Sequence, residues 1–196
     1  MDFRIETERL VIRPLILTDY EAWKESHLSR PTAGNEYDKP GLTIDKLNLA
    51  EFEKRLSEAA SNREKDLAYD YALFSKMQQK FLGSVILMRV HREIAHNCYL
   101  GYSVSPLFWG QGFGKEAVNA VIDFAFRHLK LHRVEAAIQL NNERSMRLAR
   151  GVGMRHEGVR LRGLFLDNAW EDMNIYAVTS EERGIQHPGS CRAELD

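Results

Sequence analysis

A glycine-rich turn joins a strand-like segment to a helix-like segment near the middle of this chain. The sequence there reads CYLGYSV (98–104), WGQGFG (109–114) and KEAVNAVIDFAFRHLK (115–130). Gly110, Gly112 and Gly114 permit tight turning and close approach of the backbone to a ligand. The first N–H groups of a helix lack partners within the helix and carry partial positive charge. The turn therefore predicts an anion site suited to phosphate, with Lys115 as an added cation. The competing interpretation is a turn that needs its glycines only for backbone conformation.

The other segments place this turn in an α/β fold. We predict strands at 3–15, 69–76, 81–91, 95–105, 133–140, 154–165 and 169–178. We predict helices after Thr18–Asp19, over 43–62 (one long helix or two short ones), after the glycine turn and over 145–152, with a loop at 31–41. Short polar breaks between the middle strands favour antiparallel hairpins. This order predicts helices flanking one mixed, mostly antiparallel central sheet, rather than a doubly wound sheet.

Length and composition limit the classes of protein. With 196 residues we expect one domain over 1–180 and a polar, loosely held tail over 181–196. The 27 basic and 28 acidic residues exclude the bulk positive field of a nonspecific nucleic-acid binder. The apolar runs are far shorter than the ~20 residues that span a bilayer, and no secretory signal opens the sequence. We expect a cytoplasmic protein without membrane contact.

The two cysteines lie far apart, at Cys98 and Cys191, and neither belongs to a CxxC or Cys/His ligand pattern. This usage indicates reduced thiols in a reducing compartment. We predict no metal site.

Two named phosphate motifs are tested against the glycine turn. A Walker loop fails because Glu116 follows Lys115 and no glycine stands at 109. A dinucleotide fingerprint starting at Gly112 is met by Gly114 and Ala117, but it belongs to a parallel βαβ unit. The predicted hairpins before the turn contradict that context, which leaves a phosphate site of another type.

A third pattern fits more of the chain. The turn resembles the [QR]-x-x-G-x-[GA] motif with which GNAT acetyltransferases bind the pyrophosphate of acetyl-coenzyme A, although Trp109 replaces the usual Gln or Arg. NNERS (141–145) resembles the N-x-x-S of one GNAT branch. TERLVIRPL (7–15) and LFLDNAWEDMNIYAV (164–178) are similar to the same branch, the ribosomal-protein N-terminal acetyltransferases of the RimJ/RimL type.

The resemblance implies a single acetyltransferase domain that uses acetyl-coenzyme A as co-substrate. In this sequence the implied coenzyme-binding residues are Ser103, Val104, Trp109, Gly110, Gln111, Gly112, Phe113, Gly114, Lys115, Asn142 and Ser145. The N–H near Val104 would polarise the thioester carbonyl in the manner of an oxyanion hole. Asn142 is expected to bond a pantetheine amide, to cap the helix that follows, or both.

The catalytic candidates are Ser145, which the resemblance implies, and Asp172, which shares one face of its predicted strand with Trp170, Asn174 and Tyr176. Ser145 would protonate the leaving thiolate or, as the alternative, only leave room for the coenzyme. The tyrosine acid of many GNAT enzymes is absent, because Ala149 stands at its position. Asp172 is one of several candidates for the base, with Glu157, Glu171 and His96, and its alternative role is a salt bridge to a nearby arginine. A weak base suffices for an α-amine, whose pKa is about 7.7–8.0.

The acceptor is the least specified part. A basic run is expected to give one or two contacts to the coenzyme 3′-phosphate: Arg144, Arg147, Arg150, Arg155, Arg160 and Arg162. Acids of the first half suit a cationic peptide: Asp45, Glu51, Glu53, Glu58 and Glu64. We expect a monomer or homodimer that acetylates a protein N-terminus, such as that of a ribosomal protein, without direct nucleic-acid contact. The alternatives are a small amine (polyamine, amino sugar or antibiotic) as acceptor, or a catalytically weak acyl-coenzyme A-binding module.

Overall fold

The computed structural model describes residues 2–31 and 42–187. The helices of this part are α1 (Tyr20–Leu28), α2 (Leu49–Glu64), α3 (Phe113–Arg127) and α4 (Glu143–Gly151). The strands are β1 (Ile5–Glu6), β2 (Leu10–Arg13), β3 (Ala68–Ser75), β4 (Phe81–His91), β5 (Asn97–Val104), β6 (Arg133–Gln139), β7 (Arg155–Leu166) and β8 (Ala169–Thr179). The chain divides into two compact units, Met1–Met88 with Gly101–Ala120 (unit 1) and Arg89–Leu100 with Val121–Asp196 (unit 2).

The strands of the described residues form one eight-stranded sheet in the order β1-β2-β3-β4-β5-β6-β8-β7. The β2–β3, β3–β4, β6–β8 and β7–β8 pairs are antiparallel. β5 and β6 are parallel and pair over Asn97–Tyr99 and Arg133–Glu135, on either side of the glycine turn and α3 in sequence. The predicted fold class, a mixed and mostly antiparallel sheet with helices, is confirmed.

Unit 1 has an aromatic core under its two N-terminal helices. Trp23 of α1 and Phe52 of α2 are buried with Phe74 and Phe81 of the sheet. α2 begins at a capped position, since the Asn48 side chain accepts a hydrogen bond from the Glu51 N–H at 2.9 Å. A cap of this kind contributes about 1 kcal/mol, and it fixes where α2 starts relative to β3.

Unit 2 is built on buried β6 and on the β7–β8 hairpin. Val134, Ala136 and Tyr176 are almost fully buried within it. The hairpin closes at Asp167 and Asn168, whose φ angles of 47° and 65° lie in the left-handed region. Asp and Asn tolerate that region and favour two-residue hairpin turns, so the turn predicted there is confirmed.

The strand predicted over 3–15 is wrong in one respect, because it is two strands. The N–H of Thr7 donates to the Leu10 carbonyl at 3.0 Å, and the N–H of Leu10 donates to the Thr7 hydroxyl at 3.0 Å. This turn folds β1 back on β2, with Ile5 opposite Ile12. The predicted loop at 31–41 lies, after Pro31, outside the described residues.

The segment after residue 180 is held more firmly than we expected. The Arg183 guanidinium donates to the Asp123 carboxylate at 3.1 Å and to the Val152 carbonyl, and Ile185 is buried. These contacts correct the prediction of a loose tail for 181–187, whereas 188–196 lie outside the described residues. That a single domain covers 1–180 stays a prediction. No helix in the described ranges is long and apolar enough to cross a membrane.

Candidate active site

The glycine turn has the backbone geometry that its sequence predicts. Gly110 and Gly112 have φ angles of 74° and 82°, in the left-handed region that favours glycine. α3 begins at Phe113, directly after the turn, and the Glu116 N–H is bonded to the Gly112 carbonyl. A Cβ on Gly110 would meet no atom within 4 Å, so open space lies beside it. The turn thus presents an accessible backbone at the N-terminal end of a 15-residue helix.

An ion-pair network that the sequence analysis missed fixes this turn. The Glu116 carboxylate accepts hydrogen bonds from the Thr7 hydroxyl, from the Arg9 N–H at 3.0 Å and from the Arg9 Nε at 2.7 Å. The Arg9 guanidinium also donates to the Gln111 carbonyl at 2.9 Å and lies 4.5 Å from the centre of the Phe113 ring. The sequence contains one sign of this network, a glutamate in the first turn of a helix. Its partners are more than 100 residues away along the chain, so the sequence does not identify them.

Trp109 has a contact that explains its presence in the turn. Its indole N–H donates to the Val104 carbonyl at 2.7 Å. Val104 is the last residue of β5, so this bond ties the start of the turn to the end of the strand. The residue that departs from the family motif therefore has a structural role in the same segment.

These residues fit a phosphate ligand by their chemistry. The backbone at Gly112 and Gly114 and the helix start attract an anion, and Lys115 is exposed beside them. The only acid in the first turn of α3, Glu116, is engaged by Arg9, so its charge is compensated.

In unit 2, Asn142 and Ser145 lie together at the start of α4. The Asn142 side chain accepts a hydrogen bond from the Ser145 N–H at 3.1 Å, so Asn142 is the N-cap of α4. One of the two roles expected for Asn142 is thereby confirmed. Ala149 is fully buried one turn after Ser145, and a tyrosine there would have to displace the core of the unit.

Asp172 of unit 2 is engaged by backbone. Its carboxylate accepts a hydrogen bond from the Arg162 N–H at 2.7 Å, across the irregular stretch of the β7–β8 hairpin between Arg160 and Leu164. The expected alternative, a salt bridge to an arginine side chain, is replaced by this bond to an arginine backbone. Asp172 thus has a structural role in the hairpin.

Glu157 is poorly suited to act as the base. Its carboxylate forms ion pairs with Arg133 and Arg155, which hold its pKa below the usual range. A carboxylate with a lowered pKa is a weaker proton acceptor. His96, another candidate, has a buried ring nitrogen, Nδ1, without a hydrogen-bond partner among the described residues.

Unit 1 contains a cavity of about 600 Å³ that sequence reasoning did not find. Its walls come from α1, α2, β3 and β4, and they reach Gly83 and Ser103. Gly83 is required there, because a Cβ would lie 2.1 Å from the Ser103 carbonyl oxygen. The cavity therefore extends to the residue next to Val104, and its volume is in the range of small-molecule and peptide-terminus sites.

The charges in the cavity differ from the expected acidic surface. Glu51 and Glu58 of α2 line it, as do Lys54, Arg55 and Arg63 of the same helix. Of the acids expected to suit a cationic peptide, only Glu51 and Glu58 line the cavity, and cations of the same helix lie between them. The match to a cationic peptide stays a prediction.

Two titratable groups in the cavity have shifted pKa values. Burial, together with the nearby charges of Arg55 and Arg30, lowers the pKa of His27 to about 4, so the ring is neutral at physiological pH. Burial raises the pKa of the Asp70 carboxyl, against the opposing effect of Arg55 and Arg63. Arg55 thus acts on both groups from its place on α2.

The basic run of unit 2 is only partly available for a phosphate. Arg155 forms ion pairs with Glu157 and Glu182, and Arg160 donates to the Tyr99 hydroxyl at 3.0 Å. The guanidinium of Arg150 lies 5.8 Å from the centre of the Tyr176 ring. Arg144 and Arg147 are exposed on α4.

Cys98 is a buried free thiol whose pKa is raised by burial, which removes it from the candidates for a nucleophile. Cys191 lies outside the described residues. Within residues 2–31 and 42–187, no three His, Cys, Asp or Glu side chains are grouped to hold a metal ion.

Residues 9–155 match the family model of the acetyltransferase (GNAT) domain, a span that includes the glycine turn, α3 and α4. The chain belongs to the GNAT acetyltransferases. The predicted family and the predicted acyltransferase activity are confirmed. GNAT enzymes use acetyl-coenzyme A as the acetyl donor.

Several relatives have names that bear on the acceptor. The chain is 28% identical to the probable N-acetyltransferase YjcK of Bacillus subtilis over 181 residues, 91% of this chain and 98% of that protein. It is 27% identical to the ribosomal protein uS5-alanine N-acetyltransferase of Escherichia coli, over 91% of this chain and 92% of that one. It is 23% identical to a Vibrio cholerae spermidine N(1)-acetyltransferase over 53% of this chain and 60% of that one.

Among solved structures, the chain is similar to the ribosomal-protein-S5-alanine acetyltransferase of Vibrio fischeri. The TM-score is 0.79 at 25% identity, covering 91% of this chain and 97% of the other. The resemblance to the ribosomal-protein branch thus extends from motifs to almost the whole chain.

Proposed function

We propose that this GNAT enzyme transfers the acetyl group of acetyl-coenzyme A to the α-amine of a protein or peptide N-terminus. The observation that carries the coenzyme side is the glycine turn, with left-handed Gly110 and Gly112 immediately before α3. The acceptor side is supported by the relatives named for ribosomal-protein alanine acetylation, which match over nine-tenths of the chain.

The glycine turn binds the pyrophosphate in this proposal. The N–H groups at Gly112, Phe113 and Gly114 point to the phosphate oxygens from the start of α3, and Lys115 adds a mobile positive charge. Gln111 takes part through its backbone, whose carbonyl is held by Arg9. The network of Thr7, Arg9 and Glu116 keeps the turn in its binding conformation.

The end of β5 positions the thioester. Ser103 and Val104 bond the pantetheine arm through their backbone, and the Val104 N–H polarises the thioester carbonyl. The amine nitrogen attacks the carbonyl carbon, the C–S bond breaks, and the amine loses a proton to solvent or a weak base. Trp109 holds the carbonyl of Val104 and so keeps the orientation of the strand end.

Ser145 of α4 and Asn142, the N-cap of that helix, contact the thiol end of the coenzyme in this proposal. Ser145 donates the proton that the departing thiolate acquires, and the amide group of Asn142 bonds the pantetheine while its oxygen caps the helix. Asp172 is a weaker candidate for the base, since its carboxylate is used by the Arg162 N–H.

A small amine is the second candidate acceptor, supported by the spermidine acetyltransferase that matches half of the chain. The experiment that separates the two offers purified protein and acetyl-coenzyme A a set of acceptors. These are peptides beginning with Ala, Ser or Met, a peptide blocked at its N-terminus with an internal lysine, and spermidine, with release of free thiol as the readout.

We expect the highest kcat/KM near neutral pH for an unblocked peptide. The activity should rise with pH and level off near the α-amine pKa of about 8. A higher kcat/KM for the lysine peptide or spermidine would overturn the N-terminal assignment. Tight coenzyme binding without thiol release for any acceptor would favour an acyl-coenzyme A-binding module.

A further inference from the structure

The cavity of unit 1 places charges of opposite sign on two of its walls. Asp70 lies on β3, half-buried, and lines the cavity from the sheet side. Arg55 and Arg63 line it from α2. With Ala59 between them, they lie on one face of the helix, because successive residues of the three are four positions apart. All three side chains line this one cavity, so a single ligand in it can contact them together.

Cations outnumber acids around this cavity. Among its described lining residues, five are cationic and three are carboxylates: Arg30, Lys46, Lys54, Arg55 and Arg63 against Glu51, Glu58 and Asp70. Glu51 lies 3.8 Å from the Lys46 ammonium, so this pair offsets one charge of each sign and leaves four cations against two acids. His27 adds no charge, because its ring is neutral at physiological pH. Among the described lining residues, positive charge is therefore in excess, and Asp70 is the one carboxylate on the sheet side.

Arg55 is exposed to solvent, but an aromatic ring lies beside its guanidinium. Its guanidinium lies 5.8 Å from the centre of the buried Trp23 ring, which belongs to the aromatic core of unit 1. A guanidinium that packs on an aromatic ring is pre-ordered, so less conformational entropy is lost when it binds a carboxylate.

We infer that this cavity selects acceptors that carry a carboxylate close to the reactive amine, with Asp70 receiving the amine and Arg55 and Arg63 receiving the carboxylate. The inference rests on the proposed function, because it concerns the acceptor of the same reaction. Two sources have this chemistry: a protein N-terminus with an acidic residue at its second position, and a free amino acid or small amino-carboxylate.

The arrangement separates this acceptor class from polyamines. One ammonium group of a polyamine can pair with Asp70. Its other ammonium groups lie near Arg55, Arg63 and Lys54, and these like charges repel each other. A peptide with a lysine at its second position meets the same repulsion. Ser103, next to the proposed thioester position at Val104, lies on the same cavity, so an amine held at Asp70 stays in the space that leads to the reacting carbonyl.

The test compares acceptors that differ in one charge. Peptides beginning Ala-Asp, Ala-Ala and Ala-Lys, otherwise identical and amidated at the C-terminus, are compared with free aspartate and with spermidine by kcat/KM. We expect Ala-Asp to exceed Ala-Lys by about tenfold or more, in keeping with a charge-assisted hydrogen bond made in one case and a repulsion in the other. In Arg55→Glu this ratio should fall below one, and in Arg55→Gln it should approach one.

Lys65→Glu is the matched control, because it makes the same charge change on an exposed residue just after α2 that does not line the cavity. It should leave the Ala-Asp to Ala-Lys ratio within about twofold, which is a small fraction of a tenfold effect. Asp70→Asn should raise KM for every amine while the affinity for coenzyme A, measured by calorimetry, is unchanged.

The outcomes separate this inference from the proposed function. The inference is wrong, and the proposed function stands, if peptides with Asp or Lys at the second position are acetylated with equal kcat/KM. The same holds if Arg55→Glu and Lys65→Glu change the Ala-Asp to Ala-Lys ratio equally. If the protein binds coenzyme A but acetylates no peptide, the proposed function fails. A preference for free aspartate over the Ala-Asp peptide supports the acceptor class and identifies a small molecule as its source.

Discussion

The glycine turn and the cavity of unit 1 hold their charges in different ways. At the turn, the Arg9 guanidinium and the Glu116 carboxylate form a close pair at 2.6 Å, and the backbone presents partial charges in a fixed geometry. In the cavity, the charges belong to side chains of α2, to Asp70 of β3, and to Arg30 and Lys46 outside these elements. A fixed backbone geometry suits a constant ligand such as a pyrophosphate. Side-chain charges on a helix change easily by substitution, and they suit a ligand that differs between related enzymes.

The largest effect should come from disrupting the turn. We predict that Gly112→Glu lowers coenzyme A affinity at least 100-fold, on the order of 3 kcal/mol. A side chain at a φ of 82° is strained, its Cβ would lie 3.3 Å from the Arg9 guanidinium, and its carboxylate repels phosphate. Isothermal titration calorimetry on the folded variant measures the effect.

Gly153→Glu is the control for backbone strain. Gly153 has a similar φ of 77°, lies outside the turn, and has open space around its Cβ position. This variant should lose stability but keep its coenzyme affinity. Near-normal affinity in Gly112→Glu, or equal losses in the two variants, would contradict the placement of the pyrophosphate at the turn.

The two regions also differ in how far the sequence predicts them. The turn depends on neighbours along the chain, because Gly110, Gly112 and the start of α3 lie within a few residues. A local pattern therefore predicts its ligand. Its support from Thr7 and Arg9 is not predicted, since that contact bridges more than 100 residues.

The cavity depends on contacts that no local pattern contains. In the sequence, Asp70 is a single polar residue within a predicted strand. Only the packing of α2 over β3 places it near Arg55 and Arg63. The charges of α2 likewise mislead when its acids are counted alone, because a helix presents only one of its faces to the cavity. Asp172 was predicted on the alternation of β8, but an irregular stretch of β7 engages its carboxylate.

The neutral His27 gives the second prediction. Its folded pKa of about 4 lies below the ordinary value of 6.5, so the unfolded chain takes up a proton first as the pH falls. Stability should therefore be lost between about pH 6.5 and pH 4, by about 1 kcal/mol from pH 7 to pH 5, because the ring is only partly buried and solvent screening reduces the effect. His27→Gln should show a smaller loss over the same interval, measured by urea denaturation at each pH.

The same variant sharpens the comparison of the two regions. Because the ring is uncharged above pH 5.5 in the folded protein, the preference between acidic and basic acceptors should be constant from about pH 6 to pH 8. A preference that changes over this range in the wild type but not in His27→Gln would mean that His27 is charged within the cavity.

The smallest effect should come from Glu116→Gln, which keeps the shape of the side chain and removes its charge. We predict a loss of about 1 kcal/mol in the free energy of unfolding, because Arg9 is partly exposed and solvent screens the pair. The loss of coenzyme affinity should be about threefold to tenfold, since the turn is constrained less firmly but its glycines are intact. Urea denaturation and calorimetry measure the two quantities.

The pH dependence of this variant provides an internal control. Burial raises the pKa of Glu116, but the hydrogen bonds from Thr7 and Arg9 outweigh it and lower the pKa below the ordinary 4.5. A carboxyl with a lowered pKa contributes stability above its ordinary value and loses it as the pH falls through the folded pKa. The difference in the free energy of unfolding between wild type and Glu116→Gln should therefore have its full size at pH 7 and become smaller below about pH 4. A difference that stays constant down to pH 3 would show that the charge of Glu116 does not stabilise the turn, and that only the shape of its side chain matters.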